Sequence, residues 1–197
     1  MISCEPYITS DNRCFIEDTH HVLNGIKQVM KYLNIAKCVI GIEGNKPEAI
    51  AKTVSPRLRD GRVVLDDISL TAEYIQAVSR IFIIACGSSY HVGVVSKYSW
   101  EKLLRRPVEV VLASEFRYCD PLVDEKTLVI VISQSGETAD SLAALRESKK
   151  KGYKVLGIVN VVGSSIAREA DSVFYTWAGP EISVATTKAY STQLAAV

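Results

Sequence analysis

The 197-residue sequence has no excess of charge of either sign: 23 Lys and Arg stand against 22 Asp and Glu, for a formal net charge of +1. So balanced a chain offers no electrostatic footprint for nucleic acid and no pull toward an anionic membrane surface. Long apolar runs are missing as well; the longest are about six residues, far short of the roughly 18 that suggest a membrane span. The N-terminal "MISCEPYITSDN" lacks a basic region followed by an apolar core, so no signal peptide is expected and the reading is cytoplasmic. The five cysteines (Cys4, Cys14, Cys38, Cys86 and Cys119) are odd in number and include no C-x-x-C pair. That pattern supports neither a disulfide framework nor a metal site, and leaves the thiols reduced and packed as small apolar groups. No metal and no cofactor are called for, and low-complexity segments are absent.

What is present is ordinary globular composition, 48% apolar and 23% charged, with a strong alternation from residue 81 onward. Apolar runs at 81–86 (IFIIAC), 108–112 (VEVVL), 127–132 (TLVIVI), 154–159 (KVLGIV) and 172–177 (SVFYTW) read as strands. Helices are expected at 90–105, 113–119, 139–151, 164–170 and from 187 to the end. Strands that are apolar on both faces, alternating with helices, argue for an α/β fold with a five-stranded parallel sheet covered on both sides. The helix at 139–151 is written with acids at its start, three lysines at its end and Gly152 as a stop, and Ala139, Leu142, Ala143 and Leu145 supply its apolar face. Residues 1–50 have a different texture, with a turn at "SDNR", one helix and one strand, "AKCVIGIEG". Residues 51–80 read as a connecting segment with a turn at Asp60-Gly61, then a helix, ahead of a domain at 81–197. The last helix has no stop signal at Val197, which reads as a truncated domain.

In a parallel sheet, ligands bind at the C-terminal strand ends, and three polar loops lie there. The loop 133–138 brings the hydroxyls of Ser133, Ser135 and Thr138, the Gln134 amide and the pliant Gly136 to a helix start. Such a start attracts anions through its free N–H groups and dipole. No lysine follows as in a nucleotide P-loop, so a monophosphate fits better than a nucleotide. Plain helix capping and turn chemistry are the competing reading. A second loop, Cys86-Gly87-Ser88-Ser89, surrounds the same ligand if the two strands are neighbours. His91 follows in a helical first turn, where imidazolium gains nothing from the dipole. The third loop, 179–188, carries Glu181 and Lys188, candidates either for acid–base chemistry or for a simple ion pair.

These segments carry a resemblance. "ACGSSYHVGVVSKY", "ASEFRYCDPL", "ISQSGETADSLAALRESKKKGYKVLGIVNVVGSSIAREAD" and "AGPEISVATTKAYSTQLA" together resemble the first sugar isomerase (SIS) domain of the glutamine–fructose-6-phosphate aminotransferase family, from about Pro47 to the end. The resemblance implies a flavodoxin-like, doubly wound sheet. It implies a phosphate site at Ser133, Gln134, Ser135 and Thr138, with Gly87, Ser88, Ser89, Val184 and Thr186 lining the sugar. Fructose 6-phosphate or glucosamine 6-phosphate would be the ligand, and the family dimerises through such domains, so a homodimer is expected. The sequence departs from the family pattern at Ser88 (threonine in the family), Thr186 (serine), Cys119 (a basic residue) and Ser183 (glycine). The family's glutaminase domain and second SIS domain, with its acid–base residues, have no counterpart here, so no catalytic residue is assigned and binding rather than a complete enzyme is expected. A regulatory sugar-phosphate-sensing module is the alternative.

Residues 3–50, with "CEPYITSDNR" and "GIKQVMKYLNIAKCVIGIEGNKPEAI", are similar to part of the C subunit of the Rnf electron-transport complex, without that family's clustered cysteines. Pro47-Glu48-Ala49-Ile50 fits either family, which suggests a chimera joined there. A flavin-linked electron-transfer role rests on this segment alone.

Overall fold

Runs such as RIFIIA and TLVIVIS are apolar at successive positions, and a strand sends successive side chains to opposite faces, so each such strand needs cover on both sides. The computed structural model describes residues 51–65, 68–119, 121, 124–181 and 188–197, all within one unit spanning residues 45–197. Its elements run 3-10 turn Ser55–Arg57, β1 Leu58–Arg59, β2 Arg62–Val63, α1 Ala72–Ala77, β3 Arg80–Ala85, α2 Gly87–Leu104, β4 Val108–Leu112 and α3 Ala113–Cys119. Then follow β5 Thr127–Ser133, α4 Ala139–Lys150, β6 Lys154–Val159, α5 Ser165–Glu169, β7 Ser172–Tyr175 and α6 Lys188–Ala196. The strand and helix expected within residues 1–50 lie outside the described residues.

The main sheet has the order β4-β3-β5-β6-β7, with every pairing parallel. It is the expected doubly wound arrangement. Ile81, Ile83 and Ala85 of β3 and Leu128, Ile130 and Ile132 of β5 pack with Val92 of α2 and Tyr190 of α6. The alternate residues Phe82, Ile84, Val129 and Val131 pack on the other face with Phe116 of α3, Ala144 and Leu145 of α4, and Ile166 of α5. Each fully buried side chain of this size contributes roughly 1.5–3 kcal/mol. The chain leaves β3 toward β4 on one side of the sheet and later continues from β5 toward β6 on the other. The order therefore reverses between β3 and β5, and Ala85 sits opposite Ile132 there. The loops after both strands open at that point.

Three expectations are corrected. The segment expected merely to connect forms a tight hairpin: Leu58 pairs with Val63 and Arg59 with Arg62, around Asp60 and Gly61, both at positive φ (52° and 70°). Two consecutive left-handed residues make the type I′ turn that suits a two-residue hairpin loop. Just ahead of it, the chain covers the outer edge of the sheet. Arg57 donates from Nη2 to the Tyr175 carbonyl (2.8 Å) and from Nη1 to the Thr53 carbonyl (2.7 Å), with its guanidinium 3.8 Å from the centre of the Phe174 ring. The Thr53 hydroxyl donates to the Thr176 carbonyl. Carbonyls at an edge strand are otherwise open to pairing with another chain. Next, Ala139 is exposed; α4 buries Ser141, Ala144, Leu145 and Ser148 instead, and the Ser148 hydroxyl is satisfied internally by the Ala144 carbonyl at 2.8 Å. Lastly, Cys119 is an exposed thiol rather than a packed one.

The stop expected after α4 is built as a Schellman motif. Tyr153 N–H donates to the Ser148 carbonyl (3.1 Å) and Gly152 N–H to the Lys149 carbonyl (3.0 Å), with Gly152 at φ +84°. A Cβ is disfavoured at that φ, so Gly152→Ala is expected to lower stability by about 1 kcal/mol, read as a shift in the urea midpoint with an unchanged m-value.

Candidate functional site

At the switch point, Cys86, Gly87, Ser88, Ser89, Ile132, Ser133, Gln134, Ser135, Thr138 and Ser141 line an open pocket of about 300 Å³. The condition left open by the sequence is met, because β3 and β5 are neighbours, but the expected loop is nearly absent: only Cys86 separates β3 from α2, and Gly87, Ser88 and Ser89 form the first turn of that helix, which starts at Gly87 rather than at 90. α2 and α4 both begin at this pocket, and neither of their N-cap residues, Cys86 and Thr138, makes a side-chain capping bond. Two helix N-termini thus turn their positive ends toward one space. Among the described residues lining it there is no carboxylate, imidazole, amine or guanidinium. The donors are neutral hydroxyls, one amide and backbone N–H groups. Such a set is chemically suited to binding and orienting an anion.

The loop after β5 holds its own shape. Ser133 Oγ accepts from Gly136 N–H (3.0 Å) and Ser135 Oγ accepts from Glu137 N–H (3.2 Å), while the Ser133 and Thr138 hydroxyls lie 3.4 Å apart. The turn chemistry that competed with anion binding is therefore real, and it does not exhaust the hydroxyls. A serine that accepts one bond still has its own hydrogen to donate. Gly136 sits at φ +67°, and a Cβ there would lie 2.1 Å from Ser164 Oγ, so its bareness lets the loop rest on the β6–α5 connection.

That connection clamps the loop from below. Asn160 N–H donates to the Gln134 carbonyl (3.1 Å), Ile166 N–H to the Gly136 carbonyl (3.0 Å), and Ser165 N–H to Glu137 Oε1 (2.7 Å). Glu137, read from sequence as a charge at the start of α4, instead caps α5. Hydrogen bonds from the Ser165 hydroxyl and backbone N–H, helped by Arg168, hold its carboxyl below the ordinary 4.5. Asn160 also reaches toward the third loop: its Nδ2 donates to the Gly179 carbonyl (2.8 Å) and its Oδ1 accepts from Ala178 N–H (2.8 Å).

The structure brings Gly87, Ser88, Ser89, Ser133, Gln134, Ser135 and Thr138 together, whereas Ser183, Val184 and Thr186 lie outside the described residues. His91 is exposed and packs edge-on against Tyr90 rather than lining the pocket. Glu181 accepts from the N–H groups of Lys188 and Ala189 (3.3 and 3.4 Å) and so caps α6. Sequence reading missed Ser141, which is 1% exposed and donates toward the Cys86 sulfur at 3.9 Å. The signal was there: Ser141 lies three residues after Thr138, on the same face of α4. It missed Gln193 as well, whose Oε1 accepts the Ser89 hydroxyl at 3.0 Å across the α2–α6 contact. Nothing local in "AYSTQLA" announces that partner.

The Glu137 clamp has a definite pH sense. A carboxyl held below its unfolded value adds stability that is complete above that value and is lost as pH falls through the lowered folded one. Protection of the Ser165 amide from hydrogen exchange should hold above about pH 5 and fall progressively below the ordinary carboxyl range. In Glu137→Gln that acid-dependent loss should vanish.

Comparison with known proteins agrees with this fold. The SIS domain family matches residues 74–197, and the Nuo51 FMN-binding domain family matches residues 2–93, mostly outside the described residues. Glutamine–fructose-6-phosphate aminotransferase (isomerizing) of Clostridium perfringens is 59% identical over 153 residues, covering 77% of this chain and 25% of that protein. Its counterpart in Mycolicibacterium paratuberculosis is 52% identical over 151 residues, covering 77% of this chain and 24% of its own length. The chain thus spans about a quarter of the curated relatives it matches. Among solved structures, the C-terminal domain of glucosamine-fructose-6-phosphate aminotransferase from Francisella tularensis superposes with a TM-score of 0.73 at 47% identity, over 77% of this chain and 43% of that one. Glucosamine-6-phosphate deaminase from Thermotoga maritima, 21% identical with a TM-score of 0.57 over 77% of this chain and 48% of its own, shares the fold. With the family match covering well over half its length, the chain belongs to the SIS domain family.

Proposed function

We propose that the switch-point pocket binds a sugar phosphate, fructose 6-phosphate or glucosamine 6-phosphate, as the sugar-binding part of an aminotransferase of amino-sugar biosynthesis. The observation that carries the reading is the convergence of two helix N-termini, neither capped by its N-cap side chain, on a pocket of serine and threonine hydroxyls. In this reading Ser133, Gln134, Ser135 and Thr138 hold the phosphate, and Gly87, Ser88 and Ser89, with Val184 and Thr186, meet the sugar. Neutral donors suit a phosphate because they spend their dipoles on its charge and leave no fixed countercharge to be desolvated.

The substrate class comes from the names of the relatives, which this chain matches over only part of their length. Formation of glucosamine 6-phosphate would need groups that the described lining does not offer, so the role assigned here is binding and orientation. No described helix is long and apolar enough to cross a membrane. We read the chain as cytoplasmic and as a homodimer through this domain, which sedimentation tests.

Thermal unfolding with and without each sugar phosphate tests the binding. A ligand that binds only the folded chain at about 100 times its Kd adds roughly 2.7 kcal/mol. The expected result is a rise in Tm with millimolar fructose 6-phosphate or glucosamine 6-phosphate, and no rise for Ser135→Ala/Thr138→Ala, whose ligand-free Tm stays close to the parent's. An unshifted Tm for the parent chain sinks the proposal.

A further inference from the structure

We propose that Gln193 is a positioning residue for the sugar end of this pocket: through Ser89 it sets recognition of a sugar hydroxyl, and it has no part in holding the phosphate. The inference rests on the sugar-phosphate reading above. Ser89 stands in the first turn of α2, is 6% exposed, and lines the pocket. Its hydroxyl donates to Gln193 Oε1 at 3.0 Å, a bond buried at both ends. Gln193 is 1% exposed, on an α6 face that it shares with buried Ala189, Tyr190 and Thr192. Its amide Nε2 is buried and has no hydrogen-bond partner among the described residues.

A buried amide donor left unmatched carries a desolvation cost, and an apolar side chain of the same length would avoid it. The amide's one hydrogen bond among the described residues goes to a pocket residue, so its gain falls on the pocket. That bond decides how Ser89 presents itself. A serine hydroxyl has one hydrogen and two acceptor sites, and here the hydrogen is committed to Gln193. Toward the pocket, Ser89 therefore offers lone pairs only. The ester phosphate of a sugar phosphate, as its dianion, has only acceptors to offer in return, whereas a sugar hydroxyl donates. Gln193 thus separates two parts of the ligand: it raises affinity for the polyol and leaves affinity for the phosphate group untouched.

The ratio of affinities for fructose 6-phosphate and inorganic phosphate, each measured by NMR titration of the full chain, tests this. Gln193→Met keeps length and bulk and removes the acceptor. It is expected to lower that ratio roughly three- to tenfold, the worth of one buried hydrogen bond, with inorganic phosphate binding unchanged. Gln193→Glu retains an acceptor for Ser89 and is expected to keep the parent ratio, so the inference stays testable if the methionine variant folds poorly. In a Ser89→Ala background, Gln193→Met should change the ratio no further. Equal weakening of both ligands, an unmoved ratio in Gln193→Met, a lost ratio in a folded Gln193→Glu, or a full effect without Ser89 would overturn the assignment. If the parent chain binds phosphate but gains nothing from the sugar, the sugar-phosphate reading itself fails, and this inference with it.

Discussion

Because β3 and β5 run parallel and side by side, with Ala85 opposite Ile132, the chain emerges from both strands at the same edge of the sheet, and everything at the pocket follows from that pairing. Both strands are sealed above and below by helices. The first polar residues able to leave the core are thus those just past the strand ends, Cys86 to Ser89 and Ser133 to Thr138. A parallel connection must return across the sheet, so each of these loops enters a helix by its N-terminus and points donor groups the same way. One register brings together the first turn of α2 and the loop after β5, more than forty residues apart in the chain.

The loop after β5 owes its shape to its neighbour. Its serines close small internal turns, and the tighter hold comes from the β6–α5 connection, through Asn160, Ser165 and Ile166 and through the close seat of Gly136 on Ser164. Glu137 shows how a charge near one helix can serve another: it precedes α4 in sequence and caps α5 in space. Backbone atoms carry most of this clamp, so substitutions on either side perturb the loop only where they move the chain or remove the carboxylate.

A buried polar bridge runs on the opposite face of the sheet. Ser89 and Gln193 join α2 to α6, so the last described helix reaches the pocket without lining it. At the outer edge, Arg57 and Thr53 bind the carbonyls that follow Phe174 and so finish the β7 side of the sheet. A stretch of chain that looked like connection is part of the fold's perimeter.

The strands and helices from β3 onward were legible because each carries a local signal: continuous apolar runs for strands buried on both faces, and acids, lysines and Gly152 punctuating α4. The polar loops were legible too, as hydroxyls and glycine after buried strands, although turn chemistry, which Ser133 and Ser135 do make, is a second use for them. Strand order was not, because periodicity fixes which faces are apolar and says nothing of which strand lies beside which. The hairpin around Asp60-Gly61 was half legible, as a turn without its strands, which are only two residues long. Asn160, Gln193 and the capping role of Glu137 escaped because their partners lie elsewhere in the chain, whereas Ser141 carried a local signal three residues after Thr138. By itself the sequence determined an α/β chain with polar, hydroxyl-rich segments at its strand ends; the tertiary structure alone decided that two of those segments form one pocket, since only hydrogen-bonded register sets the neighbours of a strand.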